Sequence, residues 1–555
     1  MKQLVFTCTL LISLYSCSYG QGRRNAISKV EYALSAIKGL YVDTINSDKL
    51  AEDAIVGLLE KLDPHSTYLS AKDVQEANEP LQGNFDGIGV QFNMMTDTLY
   101  IIQVVAGGPS EKIGIMAGDK IIKVNDTLIA GVKKASTEVV SMLKGPKGTS
   151  VNVKILRRNY PELLSFNIVR DKIPIHSLKS AYMIDNETGY ILLSQFATTS
   201  HAEFKEALVK LQAQGMKNLI LDLQQNGGGI LESAIRIANE FLKRDDLIMY
   251  MEGAHQRREE AKATYNGSFG DGRLIILVDE YSASASEIVS GAVQDWDRGI
   301  IVGRKTFGKG LVQRPVPLPD GSVIRLTTAR YYTPSGRSIQ KPYEGVDVKS
   351  YNKELIDRYN RGEMLSADSI HFPDSLKYST LVEKRIVYGG GGIMPDYFVP
   401  INNDSTSWQY KASHTTLYYD ELWGKGTVLK YARSLVDENR NSYRKQYPDI
   451  ATFEKNFTVS DKMIADLMEA YKKEKAEELK EKTYKLTEEQ LKDLEISKPL
   501  LQFQIKTSVV RDIFDENDYY RFSNNSDIYN DALKKAIEIV KDPEKYNKLL
   551  RKGLQ

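Results

Sequence analysis

Apolar and polar positions follow two different periods along this chain, and the period changes several times. Between residues 25 and 80 helical spacing dominates. Ile27, Val30, Leu34, Ile37 and Leu40 trace one face, and Leu50, Ala54, Leu58 and Leu62 trace another. Asp63-Pro64-His65-Ser66-Thr67-Tyr68 ends that pattern with residues that favour turns, and the same chemistry accounts for His65 beside Ser66 without a catalytic role. From Gly83 to about Arg170 the pattern shortens to strands, expected over 87–93, 98–104, 120–124 and 151–157, with a helix over 136–143.

Further on, strands and helices alternate, the mark of an α/β core starting near Pro174. A strand is expected over 189–196. Ser200-x-x-Glu203 then reads as the cap of a helix that turns Phe204, Leu208 and Leu211 inward and ends at Gly215. The strand 218–223 leads into Gln224-Gln225-Asn226-Gly227-Gly228-Gly229 and a helix from Leu231. The unbroken apolar run 274–278 predicts a strand covered on both faces, as does 300–302. Segments 323–328 and 329–332 read as a pair of strands. Residues 343–385 form a charged, Tyr-rich insertion. Residues 460–500 are dense in Lys and Glu at helical spacing, a solvated face, and Thr487-x-x-Gln490 between Leu486 and Leu491 marks a capped, stapled helix start.

Composition narrows the function classes. The 555 residues carry 74 Lys and Arg against 73 Asp and Glu, a net charge of +1, which does not suggest a nucleic-acid or membrane-surface binder. Lys2, the apolar stretch 4–15 and Ser18-Tyr19-Gly20 read as a secretory signal over 1–20, too short in its apolar core to span a bilayer. Both cysteines, Cys8 and Cys17, fall within it, so the body of an exported protein is expected to lack disulfides. Leu14-Tyr15-Ser16-Cys17 also resembles a bacterial lipobox. Cys17 is thus either a lipidation site that tethers the chain to a membrane or a bystander to cleavage after Gly20.

Two stretches carry candidate chemistry. Ser282-Ala283-Ser284-Ala285-Ser286-Glu287 lies where a buried strand breaks into a helix. Backbone N–H groups are unpaired there and the helix dipole is positive, a suitable place to form an oxyanion. Ser284-x-x-Glu287 also fits a capping box, which needs no catalysis. Gly303-Arg304-Lys305-Thr306-Phe307-Gly308-Lys309-Gly310 nearly spells a phosphate loop. Gly310 stands where a hydroxyl should bind Mg²⁺, however, and Pro315, Pro317 and Pro319 follow where a helix should run. What remains is a lysine between glycines, able to lie against the serine.

S-A-S-A-S-E followed by F-G-K-G-x-V-Q resembles the carboxy-terminal processing proteases, a Ser/Lys peptidase family, and the likeness extends over roughly residues 25–400. The resemblance implies Ser284 as nucleophile, Lys309 as general base and Gln313 as the residue that orients the lysine. It implies oxyanion amides at Gly228 and Ala285, in a block where the usual arginine is replaced by Gln224. Asp295 matches a position where the family often has a supporting acid; a solvated helix residue is the alternative. Phe85-Asp86-Gly87-Ile88-Gly89-Val90 and Ala117-Gly118-Asp119-Lys120-Ile121 resemble a PDZ domain, with Gly87, Ile88, Gly89 and Val90 receiving a peptide carboxylate. Thr333-Pro334-Ser335-Gly336-Arg337-Ser338 and Gly392-Ile393-Met394-Pro395-Asp396 are further family blocks.

The expected protein is a multidomain α/β chain: signal 1–20, helical amino-terminal domain 24–82, PDZ domain 83–172, peptidase core 173–402 with insertion 343–385, and a largely helical extension 403–555. It is expected to be a serine endopeptidase of the bacterial periplasm that cleaves exported proteins with apolar carboxy termini near those termini. It would need no cofactor, metal or nucleotide, and its oligomeric state is left open. Lowering a lysine from about 10.4 to roughly 7–8 costs on the order of 4 kcal/mol, which burial in an apolar pocket can supply. A non-catalytic PDZ scaffold or substrate adaptor is the alternative, and a P-loop enzyme a more distant one.

Overall fold

The computed structural model describes residues 27–552 apart from 96, 346–347, 402–403 and 526–529. The expected signal, with Cys8 and Cys17, lies outside the described residues. No described helix is long and apolar enough to cross a membrane. The chain forms two compact units, one of residues up to 74 with 313–327 and 343–352, the other of 75–312, 328–342 and 353 onward.

In the first unit the expected helices form over 27–40 and Ser47–Leu59. Asn46 caps the second by accepting the N–H groups of Asp48 and Lys49. Their apolar stripes are not core, however: Leu40 is 84 % exposed and Leu58 60 %. Asp63 closes the following turn by accepting the N–H groups of His65 and Ser66 and the Ser66 hydroxyl. His65 Nε2 lies 2.8 Å from the Tyr351 hydroxyl, so the ring has a structural partner. The strand Thr67–Leu69 pairs antiparallel with residues 323–325. Instead of the expected pair, Val323–Tyr332 is one continuous strand, whose other end, in the second unit, pairs with Leu247–Gly253.

The second unit holds the main sheet, in the order Leu178–Met183, Thr188–Leu193, Asn218–Asp222, Leu274–Val278, Ile300–Gly303, Tyr397–Phe398. The first pairing is antiparallel and the other four are parallel. One face packs on Ser200–Ala213, Leu231–Asn239 and Ala285–Asp295 through Phe204, Ile237 and Val289. The other is covered by Asp531–Lys541 and Pro543–Lys552 through Leu533, Ile539 and Tyr546. The central strands are therefore buried on both sides, as their unbroken apolar runs require. It follows that the segment 403–555 is not one appendage. Its last two helices complete the main sheet, while Thr427–Gln446, Asp461–Leu479 and Glu488–Ile513 build a separate helical core. Thr487 and Gln490 form the expected capping box of the last of these. Ser200-x-x-Glu203 does not form one: Glu203 accepts the N–H groups of Ser177 and Leu178 and pins the strand start to the helix.

The PDZ region is a sheet in the order Val90–Met95, Thr98–Val104, Lys120–Val124, Ser150–Leu156, Leu164–Val169, with the helix Ser136–Leu143. Val90–Met95 forms its edge.

Asp222 ends a central strand fully buried. Burial pushes its carboxyl up to about 7, against hydrogen bonds from the Tyr190 hydroxyl and the Gln224 N–H. The fold thus favours the protonated acid. The stability this contributes is full below the ordinary carboxylate range and is lost as pH rises through about 7. Asp222→Asn should flatten the pH dependence of the urea midpoint between about pH 5 and 8, a slope of up to about 1.4 kcal/mol per pH unit. Identical slopes in both proteins would show that Asp222 is not its source.

Candidate active site

Three neighbouring parallel strands end at the site. Asn218–Asp222 runs into the glycine loop, Leu274–Val278 into the serine elbow, and Ile300–Gly303 into the lysine loop. Ser284 is the N-cap of the helix Ala285–Asp295 and has φ 55°, ψ −109°, a conformation that costs a non-glycine residue about 1–3 kcal/mol. The surrounding hydrogen bonds hold it there. Asp279 accepts the N–H groups of Tyr281 and Ser282 on the elbow and of Gln225 on the glycine loop.

The three serines divide their work. Ser282 is fully buried and donates to the Leu223 carbonyl at 2.8 Å, and Ser286, also fully buried, donates to the Asn226 carbonyl at 2.8 Å. Both fasten the elbow to the glycine loop. Ser284 alone among them is half-buried.

Gly228 crosses close beneath the elbow with φ 101°. A Cβ there would stand 2.8 Å from the Ala283 carbonyl oxygen, 2.9 Å from Ser284 Cβ and 3.0 Å from Ala285 N, so only glycine fits. Its N–H, the expected oxyanion donor, donates to Asn226 Oδ1 at 2.9 Å. In this arrangement it is already engaged.

Glu287 unites the elbow and the lysine loop. Its side chain is fully buried. Oε2 accepts the N–H of Ser284 at 2.8 Å and the N–H of Lys309 at 2.9 Å. Oε1 accepts the N–H of Gly308 at 2.7 Å and the Thr306 hydroxyl. Burial pushes the carboxyl up, and these four donors oppose it by favouring the ionised form. On the opposite side the Tyr331 hydroxyl reaches the carbonyl oxygens of Ser284, at 3.1 Å, and Lys309, at 2.9 Å. Burial raises the Tyr331 hydroxyl well above its ordinary range, which keeps it a donor. The capping geometry expected of Ser284-x-x-Glu287 is therefore part of what joins the two loops. Sequence reasoning missed Tyr331 and the reach of Glu287 to Lys309; neither has a local signature.

The other expected residues take part in further contacts. Asp295 is fully buried rather than solvated; it pairs with Arg337 at 2.7 Å and accepts the Ser335 N–H at 2.9 Å. It thus holds the Thr333–Ser338 turn. Gln313 belongs to the first unit, where its amide donates to the His65 carbonyl. Gln224, in the family's arginine position, donates its N–H to Asp222 at 2.8 Å. In the PDZ region the carbonyl of Ile88 accepts the N–H and hydroxyl of Ser110, and that of Gly89 the N–H of Val105.

Residues 187–349 match peptidase family S41, residues 87–168 a PDZ domain, residues 15–73 the N-terminal domain of the activating protease CtpB, and residues 418–515 a family of unknown function. The carboxy-terminal-processing protease of Bartonella bacilliformis is 35 % identical over 342 residues, 58 % of this chain and 77 % of that protein. The carboxy-terminal processing protease CtpA of Bacillus subtilis is 32 % identical over 357 residues, 64 % of this chain and 74 % of that one. Among solved structures, the photosystem II D1 C-terminal processing protease aligns at 28 % identity over 56 % of this chain and 83 % of that chain, with a TM-score of 0.32. Domains and matches together define a peptidase that carries a PDZ domain. The chain belongs to the carboxy-terminal processing proteases of peptidase family S41.

Glu287→Gln should lower peptidase kcat/KM by roughly 10- to 100-fold, because an amide turns a donor toward buried N–H groups, each worth about 1–3 kcal/mol when left without an acceptor. Steady-state assays on protein of wild-type circular dichroism check this. Full activity would mean that the carboxylate does not hold the two loops.

Proposed function

We propose that this chain is an exported serine endopeptidase that cleaves protein substrates near their carboxy termini, with Ser284 as nucleophile and Lys309 as general base. The observation that carries the reading is the single Glu287 oxygen that takes the backbone N–H of both residues. A second point supports the choice of serine: the hydroxyls of Ser282 and Ser286 are committed to carbonyls, and Ser284 is the accessible one. Neutral Lys309 takes the Ser284 proton as Oγ attacks the scissile carbonyl. The oxyanion is received at the Ala285 N–H at the helix start, where the dipole is positive. Gly228 contributes its N–H by sharing or releasing Asn226 Oδ1. Collapse expels the amine with the proton held by Lys309, and water then releases the acyl-enzyme.

The PDZ region takes the substrate's tail. Its edge strand Val90–Met95 offers an unpaired side to an extended peptide. The amides of Gly87, Ile88, Gly89 and Val90 receive its terminal carboxylate, beside carbonyls of Ile88 and Gly89 that are engaged from within. Cys17, outside the described residues, would anchor the exported chain if lipidated.

Ser284→Ala should abolish hydrolysis and labelling by a serine-reactive phosphonate while leaving tail binding intact. Lys309→Arg should also be inactive, since guanidinium does not deprotonate in this range, and wild-type kcat/KM should rise with pH. An active Arg variant would remove Lys309 as the base, and a wild-type protein that neither cleaves nor labels would point to the adaptor reading.

Amidating the terminus of an apolar tail peptide should weaken its binding by about tenfold, roughly the 1.4 kcal/mol of one charge-assisted contact. Calorimetry giving equal affinity for acid and amide would rule out carboxylate capture.

A further inference from the structure

The lysine loop is also held from its other side, by the charged insertion 343–385. The match to peptidase family S41 ends at residue 349, at the start of the helix Val348–Asn360. Arg358, near the end of that helix, has a side chain only 1 % exposed. Its guanidinium donates to the carbonyl oxygens of Lys305, at 2.6 Å, and Thr306, at 3.1 Å. Phe307-Gly308-Lys309 follows directly. Glu363 stands 3.4 Å from the guanidinium and takes the Lys305 ammonium at 2.6 Å. Glu354, on the same helix, pairs with Lys341 at 3.1 Å. The Lys341 ammonium lies 3.9 Å from the centre of the Phe307 ring, and the Lys341 backbone N–H donates to the Gly308 carbonyl at 3.0 Å.

Stability alone is a poor account of this cluster. Burying charges costs several kcal/mol each, and apolar packing of the same volume often serves a fold as well. What a buried arginine adds is direction. Two N–H donors in a rigid fork bind two successive carbonyls and fix the peptide between them; an ammonium does not reproduce that geometry. The second carbonyl belongs to Thr306, whose hydroxyl donates to Glu287, the carboxylate that holds the N–H groups of Lys309 and Ser284. An unbroken series of buried hydrogen bonds therefore runs from the insertion to both residues.

We propose that Arg358 is a positioning residue for Lys309: by fixing the carbonyls of Lys305 and Thr306, it sets the loop that presents the lysine to Ser284. The insertion is then working machinery of the site in this chain. This rests on the Ser284/Lys309 reading and adds to it a residue outside the matched family region.

The test uses the full-length chain and an internally quenched peptide with a free valine terminus, comparing wild type, Ser284→Ala, Arg358→Met and Arg358→Lys. Arg358→Met should lower kcat at least about tenfold with KM within about twofold, and shift the rise of kcat/KM with pH, because the lysine's surroundings change. Arg358→Lys, which keeps the buried charge opposite Glu363 and one donor, should recover part of kcat and carries the test if the Met variant does not fold. Wild-type kcat and pH profile in the folded variants would overturn the proposal. So would a loss confined to KM, or one that follows melting temperature with the pH profile unmoved. Hydrolysis that survives Ser284→Ala would sink the underlying Ser/Lys reading, whatever the Arg358 variants do.

Discussion

One buried carboxylate organises the active-site region. Glu287 sits in the first turn of its helix, where free N–H groups and the dipole favour a negative charge. Removing that charge from water costs several kcal/mol. The cost is offset by donors from two chain segments, the elbow with Ser284 and the loop with Thr306, Gly308 and Lys309. Because the bonds run to backbone N–H groups, they place the main chain at both residues. Tyr331 repeats the arrangement on the carbonyl side. The elbow's positive φ is sustained by this network, not by local preference.

The network has a rigid base. The three loops of the site leave the carboxyl ends of adjacent parallel strands, the usual place for a site in an α/β sheet. Those strands are covered on both faces, by helices within the matched peptidase region and by two helices from the end of the chain. The carboxy-terminal segment is thus structural to the protease sheet at its far end and forms its own helical core before that. On the lysine side, the insertion adds Arg358 beneath the loop. Segments outside the matched region therefore bear on the site both through the layers and through hydrogen bonds.

Much of this was legible in the residues. Runs such as Leu274–Val278 and Lys120–Val124 were expected as strands and are strands, because burial on a pleated surface is written into period and composition. The Thr487 cap and the helices 136–143 and from Leu231 also follow from neighbours a few positions apart. Where expectation failed, the deciding partner was distant. Glu203 leaves its expected capping box for Ser177, 26 residues away. Asp295, left open between a supporting acid and a solvated helix residue, is buried against Arg337, 42 residues on. The apolar stripes of 27–40 and 47–59 have the right period for a core, yet Leu40 and Leu58 lie open to solvent, since period alone does not say whether anything covers a face.

The sequence by itself determined the order of elements, the buried strands, the serine at a strand–helix junction and the lysine between glycines, because each depends on interactions within a turn or a strand's length. Only the tertiary structure decided which serines commit their hydroxyls to carbonyls, that the capping glutamate also holds the lysine loop, and that Arg358 reaches Thr306 from 52 residues away. Those are contacts between segments that meet only after the sheet has assembled. Their physical basis is the need of every buried N–H, carbonyl and charge to find a partner wherever the fold supplies one.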